Sequence, residues 1–186
     1  MMKAQILILL LLFTTSLKAA VSIIPIPQKC VERKGNFIVN EKTTIVIPEN
    51  DKDIRDAISV WNDLFTTAAG FPLEITTLKQ KTNFIQCSLN ASLEEEAYKL
   101  KVSTKDIRIE AKTAKGIFYA FQTLRQLLPP AIEGNARVEN IEWNIPCVTI
   151  EDKPSFSYRG MMLDVSRHFI EKETIKRYID LLAFHK

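Results

Sequence analysis

The spacing of apolar residues changes repeatedly along this chain, and that change constrains the fold more than any other feature. From about Asp51 to Ala69, apolar residues recur every three or four positions, which indicates one buried face of a helix. The same spacing returns after Thr113, a residue suited to helix N-capping, and continues to Leu128. A glycine follows the first pattern and a pair of prolines the second, as is usual where helices end. Two amphipathic helices are therefore predicted.

The stretches around these helices alternate apolar and polar residues, which is typical of half-buried β-strands. Ser103 to Asp106 joins two of the strands as a hairpin turn. Gly116 lies inside the second helix, where it costs about 1 kcal/mol relative to Ala, and close packing of that helix on a sheet would explain it. The pattern predicts an α+β domain, a mostly antiparallel sheet with two helices against one face, over residues 21–152. The predicted strands are 37–39, 43–47, 84–89, 97–102, 107–111 and 142–150.

The last part of the chain has a different pattern. Arg159 to Val165 is an apolar run without clean alternation, as expected for a strand covered on both sides. Residues 171–186 then have helical spacing, with Ile175, Ile179 and Leu182 on the predicted inner face. A single strand and helix cannot bury itself. At 186 residues the chain has room for one domain with a core and a piece of another, so residues 153–186 are predicted to begin a second, truncated domain.

Residues 1–20 have the features of a secretory signal peptide. Lys3 supplies a positive charge, Ile6 to Phe13 is an apolar run too short to span a bilayer, and small residues follow up to Ala20. This predicts export, to the periplasm or outside the cell, or to the lysosome in a eukaryote. A retained membrane anchor is the alternative. After signal removal, no membrane span is expected.

Composition and motif content exclude several classes of function. The net charge of +3 is small and scattered, so no nucleic-acid partner is expected. The chain has three cysteines after residue 20: Cys30, Cys87 and Cys147. Because their number is odd, at least one cannot form a disulfide within the chain, and isolated cysteines are favoured. Their spacing is not that of a metal site, so no metal is expected. No His-Glu-x-x-His sequence is present, which disfavours a metalloprotease. Asn90 lies in a glycosylation sequon that matters only in a eukaryotic secretory pathway.

Several motifs resemble one known family. YRGMMLDVSRHF (158–169), followed by IKRYIDLLAFHK, resembles the first strand and helix of the catalytic barrel in family 20 glycoside hydrolases, the β-N-acetylhexosaminidases. AKGIFYAFQTLRQLLP (114–129) resembles the last helix of the α+β domain that precedes that barrel. EAYKLKV and WNIPCVTIEDKP also fit the family pattern. The resemblance covers nearly all of the chain after residue 20, and it implies that residues 153–186 are the first β/α unit of a TIM barrel.

The resemblance also implies roles for charged residues near the predicted barrel strand. Arg159, in its Arg-Gly pair, is expected to bind hydroxyls of the terminal sugar, a task that suits the planar fork of a guanidinium. The alternative is a surface cation paired with a loop carboxylate. From the residues themselves, Asp164 and Arg167 are expected to pair and fix the loop. His168 is expected to be packed or hydrogen-bonded rather than catalytic, and His185 has no assigned role.

The activity implied by the resemblance is removal of terminal N-acetylglucosamine or N-acetylgalactosamine from glycans, with retention of configuration. In this family the substrate's own acetamido oxygen attacks the anomeric carbon, an enzyme aspartate orients it, and the neighbouring glutamate is the general acid and base. No cofactor is implied. That Asp-Glu pair is expected downstream of Lys186, so no catalytic residue is assigned here and the chain alone is expected to be inactive.

Two other functions remain open at this point. The first is a non-catalytic exported carbohydrate-binding or interaction module, which the missing catalytic pair favours. The second is another hydrolase with the same kind of leading domain, such as a hyaluronidase-like hexosaminidase. The sequence RGMMLDVSRHF disfavours that second alternative, because such a barrel would open with another motif.

Overall fold

A computed structural model describes residues 21–49, 51–78 and 80–186. Its centre is a seven-stranded sheet in the order β1-β7-β5-β6-β4-β2-β3. The predicted signal peptide, residues 1–20, lies outside the described residues. The strands are β1 (Lys29–Ile38), β2 (Thr44–Val46), β3 (Glu74–Thr76), β4 (Phe84–Leu89), β5 (Tyr98–Val102), β6 (Asp106–Ala111) and β7 (Asn144–Asp152).

The sheet is mixed, so the prediction of a mostly antiparallel sheet is wrong. β1, β7, β5 and β6 form antiparallel neighbours, whereas β6, β4, β2 and β3 run parallel to one another. A helix (Lys52–Ala69) returns the chain between the parallel neighbours β2 and β3, and β5 returns it between β4 and β6, because parallel neighbours require a crossover. The α+β class is retained, with antiparallel and parallel halves in one sheet.

Helix α1 (Lys52–Ala69) is capped at both ends by local sequence. The Asp51 carboxylate accepts hydrogen bonds from the backbone N–H groups of Asp53 and Ile54, at 2.8 and 3.1 Å. Gly70 ends the helix with φ of 84° and donates its N–H to the carbonyl of Thr66, at 2.8 Å. Positive φ is the conformation that glycine adopts without steric cost, which explains why the helix ends here.

Helix α2 (Ala114–Leu127) starts where predicted, but without the predicted side-chain cap. The hydroxyl of Thr113 donates to the carbonyl oxygen of Glu95 at 2.6 Å, and so ties the start of the helix to the loop before β5. A short 3-10 helix, Pro130–Glu133, follows α2.

Both helices cover the same face of the sheet. Tyr98, Leu100 and Val102 of β5 are buried under them, whereas Lys99 and Lys101 between these residues are exposed on the other face. Helix α2 comes very close to the sheet at Gly116. A Cβ atom there would lie 2.5 Å from the carbonyl oxygen of Ala97 and 2.9 Å from the Cβ of Ala111. The predicted reason for this glycine is therefore confirmed.

The segment after β7 differs from its prediction. Residues 159–165 form no strand, and Met161 and Met162 are exposed. A strand needs hydrogen-bonded neighbours, and no other strand of the described chain lies beside this run. Helix α3 (Lys172–Phe184) does form, but Ile179 and Leu182 on its predicted inner face are exposed. Of the predicted strand and helix, only the helix therefore forms in the described residues.

Within the described ranges, no helix combines the length and the hydrophobicity needed to cross a bilayer.

Candidate functional site

The guanidinium of Arg159 is bound to residues 21–152, which we call the leading domain. One terminal nitrogen donates to a Glu96 carboxylate oxygen and to the hydroxyl of Tyr119, both at 2.9 Å. The other donates to the carbonyl of Phe156 at 2.7 Å, and Nε donates to the carbonyl of Lys186 at 3.3 Å. Burial alone would lower the pKa of Arg159, but Glu96 and Tyr119 raise it overall, so the charge is retained.

Two elements of the leading domain position the partners of Arg159. Glu96 lies in the loop before β5, and Tyr119 lies on α2, so the close approach of helix and sheet at Gly116 brings them together. The Tyr119 ring also lies beneath the cation, with the guanidinium carbon 5.6 Å from its centroid. Arg159 is therefore paired with a loop carboxylate, that of Glu96, which is the arrangement expected in the alternative interpretation of the sequence.

Asp164 and Arg167 pair, as predicted. Arg167 Nε lies 3.3 Å from one carboxylate oxygen of Asp164. The other oxygen accepts from the backbone N–H and the hydroxyl of Ser166, both at 2.8 Å. These hydrogen bonds hold the pKa of Asp164 below its usual value. The expectation for His168 is a packed or hydrogen-bonded side chain rather than a catalytic one; the structure places it in an exposed position beside this turn, so it is not packed.

A buried polar cluster lies next to Arg159, and no sequence pattern predicts it. The ammonium of Lys186 donates to the hydroxyl of Thr123 at 2.6 Å and to that of Tyr98 at 3.0 Å, and it lies 3.5 Å from Asp152. Tyr98 in turn donates to Asp152 at 2.9 Å. The side chains of Lys186 and Asp152 are only 9% and 13% exposed. Burial lowers the pKa of Lys186, and Asp152 partly offsets that shift.

The sheet register explains half of this cluster. Tyr98, the first residue of β5, is directly opposite Asp152, the last residue of β7. Alternation along β5 places Tyr98 on the buried face, so its hydroxyl needs a partner. The alternation that places Tyr98 on the buried face is the one signal in the sequence that could have suggested the cluster. Thr123 approaches from α2 and Lys186 from beyond α3, and no local pattern links either residue to the strands.

A cavity of about 270 Å³ opens between Arg159 and Lys186. Its wall includes the side chains of Glu96, Tyr98, Tyr119 and Asp152, all of which are already engaged with one of the two cations. These four side chains are thus paired with the two cations. The arrangement can hold two segments of the chain together, but it offers no nucleophile with an adjacent base.

The cysteines and acidic residues give no sign of other chemistry. Cys30 is exposed, whereas Cys87 and Cys147 are buried, and all three are free thiols. Burial raises the pKa of Cys87 to about 12, so this thiol is protonated at neutral pH. Among the residues that the structure describes, no group of three or more His, Cys, Asp or Glu side chains could hold a metal ion.

Two consecutive parts of the chain match models of known protein families. Residues 20–153 match the family described as glycosyl hydrolase family 20, domain 2, and residues 156–186 match glycosyl hydrolase family 20, catalytic domain. A β-hexosaminidase of Porphyromonas gingivalis is 35% identical over 169 residues, covering 89% of this chain and 21% of the relative. A β-N-acetylhexosaminidase of Cellulomonas fimi is 30% identical and covers 89% of this chain and 33% of its own length.

Solved structures give the same result. The family 20 β-N-acetylhexosaminidase from Streptomyces coelicolor superimposes with a TM-score of 0.81 at 33% identity, over 88% of this chain and 33% of that one. The Streptomyces plicatus N-acetyl-β-hexosaminidase in complex with Thio-NAglucal gives 0.78 at 32% identity, over 88% and 32%. The chain thus spans about a fifth to a third of the length of these relatives. On its sequence, its fold and the order of its two matched parts, the chain belongs to glycosyl hydrolase family 20.

Proposed function

We propose that the chain is the N-terminal part of an exported β-N-acetylhexosaminidase, which removes terminal N-acetylhexosamine residues from glycans with retention of configuration. One observation carries this proposal. The match to the family 20 catalytic domain begins at residue 156, directly after the match to the domain that precedes it. In this proposal residues 1–20 are the signal, 21–152 are the leading domain and 153–186 begin the barrel.

In the proposed reaction, the substrate's acetamido oxygen attacks the anomeric carbon. The aspartate that orients this group and the glutamate that protonates the leaving oxygen lie beyond Lys186, and no cofactor takes part. The contribution of the present chain is to bind and position. Asp164 and Arg167 hold their turn in shape, and Arg159 is the proposed contact to the sugar hydroxyls.

The sugar contact requires Arg159 to exchange its present partners. Its guanidinium now donates to Glu96, Tyr119 and two backbone carbonyls. Pairing of residues 159–165 with neighbouring barrel strands would change the direction of the backbone, and so would move this side chain. The contact to the sugar and the pairing with Glu96 are therefore alternative states of one residue, and a comparison of variants distinguishes them.

Hydrolysis of an aryl N-acetyl-β-glucosaminide tests the proposed activity. We expect turnover by the complete protein that carries this chain, and none by the purified 186-residue chain, because the acetamido-orienting aspartate and the general acid are absent from it. Enzyme-dependent turnover by the short chain would show that another acid acts within these residues. Glycan binding without hydrolysis by the complete protein would favour the non-catalytic module.

Arg159→Lys in the complete protein tests the sugar contact. An ammonium cannot reproduce the planar fork, and a hydrogen bond to a charged group contributes roughly 1.5–3 kcal/mol. Partial loss of two such bonds lowers kcat/KM by about two to four orders of magnitude, while the melting temperature is retained.

Glu96→Gln is the matched control for this substitution, because it removes the charge that Arg159 contacts in the present structure. If Arg159 binds sugar, Glu96→Gln leaves kcat/KM within a few fold of the parent value. Equal losses in the two variants would show that Arg159 acts by holding Glu96. Near-normal kinetics for Arg159→Lys would identify it as a surface cation.

A further inference from the structure

Helix α3 has little that would stabilise it by itself. It is 13 residues long, and none of its residues is buried. Isolated helices of this length are marginal in water. Its polar contacts with the leading domain lie at and just beyond its C-terminal end, where Phe184 and Lys186 meet α2 and β5.

The first of these contacts is made by Arg125 of α2. Its guanidinium lies over the ring of Phe184, 4.2 Å from the centroid, and one nitrogen is 3.5 Å from the Phe184 carbonyl. Arg125 is only 8% exposed, and Glu133 fixes its orientation with two hydrogen bonds of 2.9 and 3.1 Å. A cation held in this way at the end of a helix also faces the negative end of the helix dipole.

The second contact is the Lys186 cluster. An ammonium has three donors, and three oxygens of the leading domain surround this one, from Tyr98, Thr123 and Asp152. Tyr98 and Thr123 also hydrogen-bond to each other at 2.6 Å. The strand register and α2 already hold these acceptors together without Lys186, so the site is a preformed receptor for a single cation.

We infer that Lys186 is a positioning residue: it inserts into the Tyr98–Thr123–Asp152 site and so fixes the catalytic part of the chain on the leading domain. The leading domain then determines the position of the first barrel helix. The effect on hydrolysis rests on the proposed function, whereas the docking itself does not.

Amide hydrogen exchange on the purified 186-residue chain tests the docking without any substrate. The variants are Lys186→Met, Tyr98→Phe and the two combined. Lys176→Met is the matched control, because Lys176 lies on the same helix and pairs only locally, with Glu173. We expect protection of α3 amides to fall about 10- to 100-fold in Lys186→Met, as when a buried charge pair is broken, with β4 to β6 unchanged and the control unaffected.

The combined variant adds a second criterion. If Lys186 acts through Tyr98, the double variant loses less protection than the sum of the single losses, since the two changes remove one shared interaction. Unchanged α3 protection in Lys186→Met would overturn the inference. An equal loss in Lys176→Met, or a parallel loss of protection throughout the sheet, would overturn it as well.

Steady-state kinetics on the complete protein test the consequence for catalysis. Tyr98 lies in the leading domain, so its substitution affects hydrolysis only through the position of the catalytic part. We expect kcat/KM to fall about 3- to 30-fold in both Tyr98→Phe and Lys186→Met, within the range of coupling between distant sites. Loss of α3 protection with unchanged kinetics would limit the role of Lys186 to docking, and so would refute positioning.

Discussion

At Gly116, helix propensity favours alanine, whereas the close packing of the helix on the sheet favours glycine. Alanine would normally stabilise a helix by about 1 kcal/mol relative to glycine. Here its methyl group would lie 2.5 Å from the Ala97 carbonyl oxygen. We therefore predict that Gly116→Ala destabilises the chain by about 1–3 kcal/mol, as overpacking usually does. Urea unfolding measures the change.

Gly160→Ala is the control for this prediction, because a Cβ atom there meets its nearest neighbour at 3.5 Å, an ordinary contact. Its free energy of unfolding should stay within about 0.5 kcal/mol of the parent. A stabilising effect of Gly116→Ala would show that α2 moves away from the sheet at little cost.

Asp106 gives the hairpin turn between β5 and β6 a dependence on pH. Burial alone would raise its pKa, but hydrogen bonds from Ser103 and Arg108 outweigh this effect and lower it. The unfolded chain therefore binds more protons at low pH, so the stabilisation is present above about pH 4 and is lost as the pH falls further. We predict that Asp106→Asn lowers the free energy of unfolding by about 1 kcal/mol at pH 7.

Unfolding measured at a series of pH values distinguishes the contribution of the Asp106 charge from a general loss of stability. Urea unfolding of the parent and of Asp106→Asn should differ by a constant amount above about pH 5, and the difference should shrink below pH 4. A difference that persists unchanged to the lowest pH would mean that the charge of Asp106 contributes nothing.

Individual residues were predictable where the cause is local. Gly116 violates helix propensity at a visible position, and Asp164 lies three residues from Arg167, so both could be interpreted from the sequence. The Lys186 cluster joins residues that are 63 and 88 positions apart. No periodicity encodes such distances, because they depend on the order of strands in the sheet. The same limit applies to the environment of Arg159.

At the scale of elements, α1 and α2 begin in different ways. The carboxylate of Asp51 caps α1 directly, whereas Thr113 uses its hydroxyl to bind the loop before β5. We predict that Asp51→Ala costs about 1 kcal/mol of unfolding free energy, the usual value of an N-cap, when measured by thermal or urea unfolding.

Asp51→Asn keeps a side-chain oxygen at the cap and should retain most of the stability of the parent. If the Asn and Ala variants lost the same amount, the stabilisation would come from the negative charge beside the helix N-terminus rather than from the hydrogen bonds.

The helices were predicted within a residue or two, since each shows several turns of regular spacing. The strands were harder. The Lys29–Ile38 strand is longer than the predicted 37–39, because nearly all of this strand is exposed and its residues therefore lack apolar alternation. The Glu74–Thr76 strand is too short to show a pattern. The run from 159 to 165 has the composition of a buried strand, but a strand exists only beside its neighbours.

For the whole molecule, the distribution of buried residues predicts that the part of the chain before residue 153 resists unfolding more strongly than the part after it. The core lies before residue 153, and residues 156–169 are exposed throughout. We predict that limited proteolysis first cuts within 154–169 and leaves a resistant core. A chain that ends at Lys153 should still unfold cooperatively. Equal resistance along the chain, or loss of cooperativity on truncation, would contradict this division.

The pairing of β1 with β7 has a consequence for how the chain is made. The first strand of the described chain is hydrogen-bonded to the last, with Lys29 opposite Glu151. During synthesis, β1 therefore has no neighbour for roughly 6 to 25 s, at about 5–20 residues per second. Five strands of the sheet can assemble in that time, but the two pairs that β7 makes, with β5 and with β1, cannot form. One edge of β5 in the nascent sheet thus stays unpaired until translation has passed β7.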